Sequence, residues 1–178
     1  MANLQNCLQN CAVYCGTYYK YNNGSLYGKW LNFSDYLDYD ELLEAMYKLH
    51  NDEDDPEFMF QDYEHCDLFE KLGLINESYI SKEIFEIMDQ ISSSGYDLEV
   101  FEAYIDCVGK MDFQGVYEGV MDRYVGEYSD DETFVQLLLE ECGDIPENLP
   151  PYICIDWEST ARNVMYDYYS SDGYYFRS

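Results

Sequence analysis

The feature that most restricts how this chain can fold is its excess of carboxylates over basic side chains. The 178 residues contain 37 Asp and Glu against 9 Lys and Arg, which gives a formal net charge of −28 at pH 7. The distribution is uneven, because residues 1–34 contain no acid and only the bases Lys20 and Lys29. A soluble domain of this size needs a net charge of only about 2 to 8 in magnitude. Any compact fold must therefore keep these charges at its surface and tolerate their mutual repulsion.

The rest of the composition predicts a folded protein. Hydrophobic residues make up 47% of the chain and aromatic residues 18%, with 21 tyrosines, whereas disordered acidic segments lack the apolar content that a core needs. Tyrosine packs its ring while its hydroxyl stays in water, which suits small cores with much surface. The negative charge excludes nucleic acid as a direct partner and favours a basic partner, divalent cations or a high-salt habitat. The content of aromatic residues, cysteine and isoleucine argues against the high-salt habitat.

The seven cysteines are odd in number and irregularly spaced, and no apolar run resembles a signal peptide or a membrane span. Both observations favour reduced thiols and a cytoplasmic location. Cys7, Cys11 and Cys15 are four residues apart, as metal ligands along a helix would be. Cys15, however, lies in a run typical of a strand and no fourth ligand is nearby, so we predict no metal site.

The N-terminal part is interpreted as a small α+β domain over residues 12–70, preceded by a loose polar leader over residues 1–11. Two runs rich in β-formers, AVYCGTYYKY and LYGKWLNF, are joined by NNGS, and Asn and Gly favour the tight turn of a hairpin. DYLDYDELLEAMYKLH predicts a helix that Asp38 or Asp40 caps. FMFQDYEH alternates in polarity and predicts a third strand.

The segments after residue 70 predict a helical middle domain (residues 71–119) and a second α+β domain (residues 120–178). ISKEIFEIMDQI, capped by Ser81, and DLEVFEAYIDCVG have the apolar spacing of helices, and DFQGVYEGV predicts a third. In the last domain we expect a strand over residues 123–128 and a helix that opens with a capping box from Ser129 to Glu132. A helix over residues 155–168 and an edge strand in GYYFRS complete it. The predicted fold class is α+β, as an elongated chain of three small domains.

No pattern for an enzyme, a cofactor or a metal emerges from the residues. His50 ends a predicted helix, where an imidazolium would interact well with the helix dipole in a structural role. His65 and Cys66 point to opposite faces of a strand and so cannot easily share a proton. With 37 acids, pairs of carboxylates arise by chance and single out no catalytic site. NDEDDPEF fails as an EF-hand loop, because Glu57 stands where glycine is required; weak surface binding of divalent ions remains expected.

The charge itself is then the strongest functional feature. B-DNA carries one negative charge per about 1.7 Å of axis, so 28 charges match roughly 48 Å of duplex, or about 14 base pairs. A dimer would match about 28 base pairs by the same arithmetic. Carboxylates spread over several small units would present a DNA-like field to the basic groove of a DNA-binding enzyme, with steered association and strong salt dependence.

Several segments resemble the ArdA-type antirestriction proteins from about residue 12 to the C-terminus. They are AVYCGTYYKYNNGSLYGKW, DELLEAM, FMFQDYE and, most specifically, YVGEYSDDETFVQLLLEECGDIP with the following LPPYICIDWESTAR. The last run corresponds to the antirestriction motif of the family. The residues that fall in its pattern are Leu137, Leu138, Glu140, Glu141, Gly143, Ile145, Pro146, Tyr152, Asp156, Glu158 and Arg162.

The resemblance implies a non-enzymatic protein encoded on phages and conjugative elements. Family members have three small domains in a curved, elongated dimer that imitates bent B-DNA. They occupy the DNA-binding groove of type I restriction–modification enzymes in the bacterial cytoplasm, so that incoming DNA escapes cleavage. Because the family dimerises through its third domain, the implied interface here includes Tyr124, Val125, Tyr128 and Phe134.

On this interpretation the acidic side chains act as phosphate surrogates. A distributed field has no single essential charge, so we expect removal of many acids to abolish inhibition progressively. Two alternatives stay open: an acidic module for another basic partner, such as a nuclease, a CRISPR component or a nucleoid protein, and a calcium-buffering protein. The candidate DNA-mimicking carboxylates are Asp35, Asp38, Asp40, Glu41, Glu44, Asp52, Glu53, Asp54, Asp55, Glu57, Glu70, Glu83, Glu86, Asp89, Asp97, Glu99, Glu102, Asp106, Asp130, Asp131, Glu132, Glu140, Glu141, Asp144, Glu147 and Glu158.

Overall fold

The computed structural model describes residues 10–146 and 148–178. Contacts between Cα atoms group the chain into two units, Met1–Glu102 and Ala103–Ser178. Three domains, with boundaries after residues 70 and 119, stay a prediction. Most of the leader, including Cys7, lies outside the described residues.

The first unit is built on a three-stranded antiparallel sheet. Its elements are β1 (Ala12–Thr17), α1 (Tyr18–Asn22), β2 (Lys29–Asn32), a 3₁₀ helix (Phe33–Asp35), α2 (Tyr39–Leu49), β3 (Phe58–Glu64), α3 (Asp67–Lys71), β4 (Ile75–Asn76), β5 (Tyr79–Ile80) and α4 (Glu83–Ser94). The strand order is β2-β1-β3. Val13 on β1 pairs with Leu31 on one side and Tyr63 on the other. As the central strand, β1 is the most deeply buried of the three.

The predicted hairpin exists, but its connection differs from the predicted tight turn. β1 and β2 pair antiparallel, yet the YYKY segment forms α1 and not strand. Thr17 caps this helix, since its hydroxyl oxygen accepts the N–H of Lys20. The amide of Tyr18 donates to the carbonyl of Glu57. These local hydrogen bonds replace the ladder that the β-forming tyrosines predict. The predicted cap Asp38 is confirmed, because its carboxylate accepts the N–H of Glu41.

The middle of the chain is less helical than predicted, because it contains the two-stranded hairpin β4-β5. The side chain of Asn76 accepts the N–H of Ser78 and so stabilises the turn. The carbonyl of Glu77 in this turn also accepts the N–H of Phe60 on β3. Strands of two residues are too short to show a periodicity, which is why the sequence pattern misses them. The hydroxyl of Ser81 accepts the N–H of Glu83 at the start of α4, but the N-cap residue of this helix is Lys82, one position after the predicted cap.

A second sheet of three antiparallel strands organises the second unit. α5 (Leu98–Val108) contains the boundary between the units. After it come α6 (Phe113–Arg123), β6 (Tyr124–Glu127), α7 (Asp131–Cys142), α8 (Trp157–Val164), a 3₁₀ helix (Met165–Asp167), β7 (Tyr168–Ser171) and β8 (Tyr174–Arg177).

The C-terminal strand is central, and the prediction of an edge strand is wrong. The strand order is β6-β8-β7, and β7 begins at Tyr168, the last residue of the predicted helix. On β8 two adjacent rings, which must face opposite sides of the sheet, are both buried. Tyr175 packs on Phe134 of α7 with ring centroids 4.5 Å apart, and Phe176 packs on Tyr104 of α5 at 5.1 Å. The short run GYYFRS does not show on how many sides the strand is paired, so its pattern does not distinguish a central position from an edge position.

The predicted capping box of α7 also needs a correction. Asp130, not Ser129, is the N-cap, since its carboxylate accepts the N–H of Thr133 at 2.7 Å. The hydroxyl of Ser129 donates to the Asp130 carboxylate instead. A carboxylate is the stronger acceptor at the positive end of a helix, so it takes the capping position.

Together these elements form a mixed α+β fold with three small antiparallel sheets and helices between them, which confirms the predicted class. Each helix seen in residues 10–146 and 148–178 is too short or too polar to cross a membrane.

Candidate carboxylate surface and C-terminal motif

Nearly all acidic side chains of the described residues face solvent. Glu53, Asp97, Glu99 and Glu102 are partly buried, and the other described acids are exposed. Glu147 lies outside the described residues. The remaining predicted surrogates are exposed, as are acids that the sequence-based set left out, such as Asp62, Asp67, Asp112, Glu118, Asp122, Asp167 and Asp172. The predicted outward placement therefore applies to most of the set.

Helix α4 illustrates how the sequence produces this placement. Glu83, Glu86 and Asp89 are exposed, while three isoleucines of the same helix are buried. Residues three apart lie on one face of a helix, with an axial separation of about 4.5 Å. One strand of B-DNA carries a phosphate every 3.4 Å or so along its axis. The row of carboxylates on α4 thus approaches the linear charge density of a DNA strand.

Glu53 differs from the surface acids, because it belongs to an internal network around Lys20. The ammonium of Lys20 lies 2.7 Å from a carboxylate oxygen of Asp52 and 3.1 Å from one of Glu53. The hydroxyl of Thr17 donates to Glu53 at 2.7 Å. The side chains of Lys20 and Glu53 are each only 11% exposed. Glu53 therefore neutralises an internal cation.

His50 completes this network in its neutral form. It is fully buried, and burial lowers the pKa of its imidazole. Nδ1 lies 3.0 Å from the Lys20 ammonium, which can only donate, and Nε2 lies 3.3 Å from the carbonyl of Cys15. These partners assign an Nδ1 acceptor and an Nε2–H donor. The structural role expected for His50 fits this arrangement, but the expected imidazolium is wrong, because the neighbouring ammonium disfavours a second positive charge.

The same residues form the grouping most similar to a metal site. One ligand atom each of His50, Asp52 and Glu53 lies within 4.8 Å of the other two. The ammonium of Lys20 already stands among these atoms. Because it supplies the positive charge that the carboxylates need, the grouping holds together without a metal ion.

Glu102 is the second acid with an internal role. Its carboxylate accepts the N–H of Leu68 at 3.1 Å, in the first turn of α3. Burial, and then the charge of Asp67, raise the pKa of Glu102 to about 7. A carboxyl group that is partly protonated near neutral pH and accepts a backbone hydrogen bond contributes little to the negative electrostatic potential at the surface.

The C-terminal motif consists largely of residues that shape the connection from α7 to α8. Gly143 ends α7 with a φ of 75°, a left-handed conformation that glycine adopts without strain. Asp156 caps α8 by accepting the N–H of Ser159, and this hydrogen bond lowers the pKa of Asp156. Glu158 and Arg162 form an ion pair of 2.9 Å across one turn of α8.

Other members of the motif are available to a partner. Leu137 is 47% exposed and Tyr152 is 85% exposed. Glu140 and Glu141 are exposed beside Leu137 on α7, Pro146 is exposed, and Leu138 and Ile145 are partly buried. The motif thus combines local structural residues with an exposed surface that is acidic and apolar.

The predicted interface residues belong mostly to the core of their own unit. Phe134 is completely buried and contacts the rings of Tyr128, Tyr168 and Tyr175. Tyr128 and Val125 are partly buried against the same cluster. A residue without exposed surface cannot contact a second chain directly. Phe134 therefore packs beneath the predicted interface and is not itself a contact residue.

Two features of the first unit were missed by sequence reasoning. The Lys20 network joins residues that are 30 and more positions apart, and the thiols of Cys11 and Cys66 are in contact across 55 positions. Neither contact corresponds to a regular spacing of residues in the sequence. The sequence did contain one indication of the Lys20 network, because Lys20 is one of two bases in a segment without acids.

Comparison with known proteins places the chain in a family. No curated protein matches it. The family model described as antirestriction protein (ArdA) matches residues 13–176, which is nearly the whole length. This match confirms the resemblance seen in the sequence segments. The chain therefore belongs to the ArdA family of antirestriction proteins.

Proposed function

We propose that this antirestriction protein mimics B-DNA and occupies the DNA-binding groove of type I restriction–modification enzymes, in the cytoplasm of a bacterial host that a phage or mobile element enters. ArdA proteins are non-enzymatic inhibitors of restriction. The observation that carries the proposal is the outward placement of almost all described carboxylates. Such a surface suits a groove that evolved to bind phosphates.

Electrostatics account for most of the expected affinity. A net charge of −28 steers the protein towards a basic groove and accelerates association at low ionic strength. As duplex DNA leaves the groove, its place is taken by carboxylates at a comparable linear density, as on α4. Because the interaction resembles that of DNA, its strength should fall steeply as salt is added.

We further propose that the protein acts as an elongated homodimer of chains with three small domains each. The partly buried Tyr124, Val125 and Tyr128 and the exposed Leu137 supply apolar surface in the unit Ala103–Ser178. Apolar contact area can outweigh the repulsion between two acidic chains, provided that the contact itself excludes carboxylates. Two chains would double the length of duplex that is imitated.

A competition experiment tests the proposal. A purified type I enzyme is bound to a fluorescent duplex that contains its recognition site, and the protein is titrated in at several salt concentrations. We expect complete displacement of the duplex, mutual exclusion of the two ligands, and an apparent affinity that falls with salt. A ternary complex of enzyme, duplex and protein would contradict groove occupancy.

Two controls sharpen the result. The same titration against an unrelated basic DNA-binding protein measures how general the inhibition is, and equal displacement there would favour a broader acidic inhibitor. Glu83→Gln, Glu86→Gln and Asp89→Asn, singly and combined, test the distributed field. Each single change should leave inhibition nearly unchanged, while the triple variant weakens it. Loss of inhibition from one such change in a folded protein would point to a discrete site instead.

A further inference from the structure

Two cysteines of the first unit have their thiols in contact. The sulfur atoms of Cys11 and Cys66 are 2.6 Å apart. Cys11 is 0% exposed and Cys66 is 2% exposed. The two residues are 55 positions apart in the chain, so the folding of the unit, and not local geometry, brings them together.

The backbone around this pair is held firmly. Cys11 directly precedes β1, and its carbonyl accepts the N–H of Phe33. Cys66 lies between β3 and α3 as the N-cap residue of that helix. The neighbouring residues Ala12 and Glu64 are paired in the β1–β3 ladder. A covalent bond between the two sulfurs would thus join segments that are already adjacent.

The other described cysteines offer no comparable pairing. Cys15 is buried, and its thiol donates weakly to the carbonyl of Gly16. Cys107 is partly buried, whereas Cys142 and Cys154 are exposed. The proximity of Cys11 and Cys66 is therefore specific to those two residues among the described thiols.

We propose that Cys11 and Cys66 form a reversible intramolecular disulfide by exchange with a small-molecule disulfide such as oxidised glutathione. One cysteine thiolate attacks a glutathione sulfur, and one glutathione thiolate leaves as a mixed disulfide forms. The second cysteine thiolate then attacks the protein sulfur of this mixed disulfide and releases the second glutathione. Two electrons pass from the cysteines to glutathione, and the two thiol protons end on the two glutathione molecules released.

The environment of the pair makes this exchange slow but its product persistent. The hydrogen bond between the thiols and their burial raise the pKa of Cys11 far above its ordinary value, and only a thiolate attacks a disulfide. Exchange consequently requires transient opening of the unit. Once formed, the bond is shielded from reductants for the same reason, and it constrains the unfolded chain across a long loop.

Peptide mapping of the full-length protein tests the site directly. The purified protein is incubated with oxidised or reduced glutathione at low denaturant concentration, returned to native buffer, alkylated and digested without reduction. We expect a crosslinked peptide pair containing Cys11 and Cys66 and a mass lower by two hydrogen atoms, only in the oxidised sample. The exposed Cys142 and Cys154 should carry glutathione or the alkylating label. Unlinked Cys11 and Cys66 after prolonged oxidation, or a bond to a different cysteine, would overturn the proposal.

Stability measurements give a second readout. Oxidation should raise the melting temperature of the wild type by about 5–10 °C, and reduction should reverse the rise. Cys66→Ala should abolish the rise, while Cys7→Ser and Cys142→Ser should retain it, because those residues are outside the pair. If Cys66→Ala does not fold, the crosslink map of Cys7→Ser still decides the matter. A rise in melting temperature that survives Cys66→Ala would contradict the assignment.

Discussion

The two units accommodate the same excess of negative charge in different ways. The unit Met1–Glu102 has a largely aliphatic core with a buried histidine and thiols, and it brings one ammonium, that of Lys20, inside to neutralise two acids. The unit Ala103–Ser178 has an aromatic core, in which Tyr128, Phe134, Tyr168 and Tyr175 are packed together.

Tyrosine allows the aromatic core of the unit Ala103–Ser178 to lie directly beneath acidic side chains. The ring of Tyr175 is buried, while its hydroxyl donates to the exposed carboxylate of Asp131 at 2.7 Å. Burial and this hydrogen bond raise the pKa of Tyr175, so the phenol stays protonated and acts as a donor. A thin core can thereby contact an acidic surface without an internal cation. The comparison suggests that the first unit is sensitive to charge changes and the second to loss of ring volume.

The largest expected effect is that of Phe134→Ala in the second unit. Removal of a fully buried ring should cost about 3–5 kcal/mol of unfolding free energy, because it leaves a cavity among the rings of Tyr128, Tyr168 and Tyr175. Urea unfolding followed by tryptophan fluorescence measures this, with Trp30→Phe as the background so that Trp157 reports on the second unit alone. Leu137→Ala is the matched control on the same helix and should cost less than about 1 kcal/mol, since that side chain is half exposed. Equal losses from both changes would contradict the ring-based core.

Lys20→Met probes the charge-based solution of the first unit. The methionine keeps the aliphatic stem but leaves Glu53 without its cation, and we expect a loss of about 2 kcal/mol, below the value for fully buried pairs because Asp52 remains solvated. Unfolding is followed through Trp30 in a Trp157→Phe background. The control is Lys48→Met, which removes an exposed pair with Glu44 and should change stability by less than about 0.5 kcal/mol. A loss confined to the second unit would refute the assignment of the network.

Glu102 should make the first unit less stable as pH rises. Its folded-state pKa of about 7 lies above the ordinary glutamate pKa of 4.5, so between these values the folded state binds more protons and the free energy of unfolding falls with increasing pH. Below pH 4.5 the buried carboxyl group does not lower the free energy of unfolding, and above pH 7 or so it lowers it by the full amount. Glu102→Gln keeps the acceptor for Leu68 and should gain about 1 kcal/mol at pH 8, after allowance for solvent screening, with no gain at pH 4. A pH-independent gain would exclude titration of Glu102 as the cause.

The smallest effect concerns the start of α7. Asp130→Ala removes the carboxylate that accepts the N–H of Thr133, and the melting temperature should fall by a few degrees. Ser129→Ala is the paired control and should leave it nearly unchanged, because that hydroxyl does not cap the helix. Calorimetry on both variants checks the assignment, and the reverse order would restore the capping box that the sequence pattern predicts.

Long periodic segments were predictable, whereas short or two-sided elements were not. The stripes of α2, α4 and α7 and the glycine at the end of α7 follow from the spacing of apolar residues and from turn chemistry. The hairpin β4-β5, the helix α1 and the central position of β8 do not, because two- to five-residue elements are decided by neighbours from elsewhere in the chain. Among the candidate surrogates, Glu53 and Glu102 have the same local sequence character as exposed acids, and only their tertiary partners distinguish them.

The sequence by itself determined that the chain is acidic, folded and of mixed α+β class, and that it belongs with antirestriction proteins, because charge, periodicity and motif are all local properties. Tertiary structure alone decided which carboxylates face water, that Glu53 pairs with the Lys20 ammonium and Glu102 with the start of α3, and which thiols meet. Those outcomes depend on distances between residues far apart in the chain. No local pattern encodes such distances, since burial and pairing are set by the packing of whole elements.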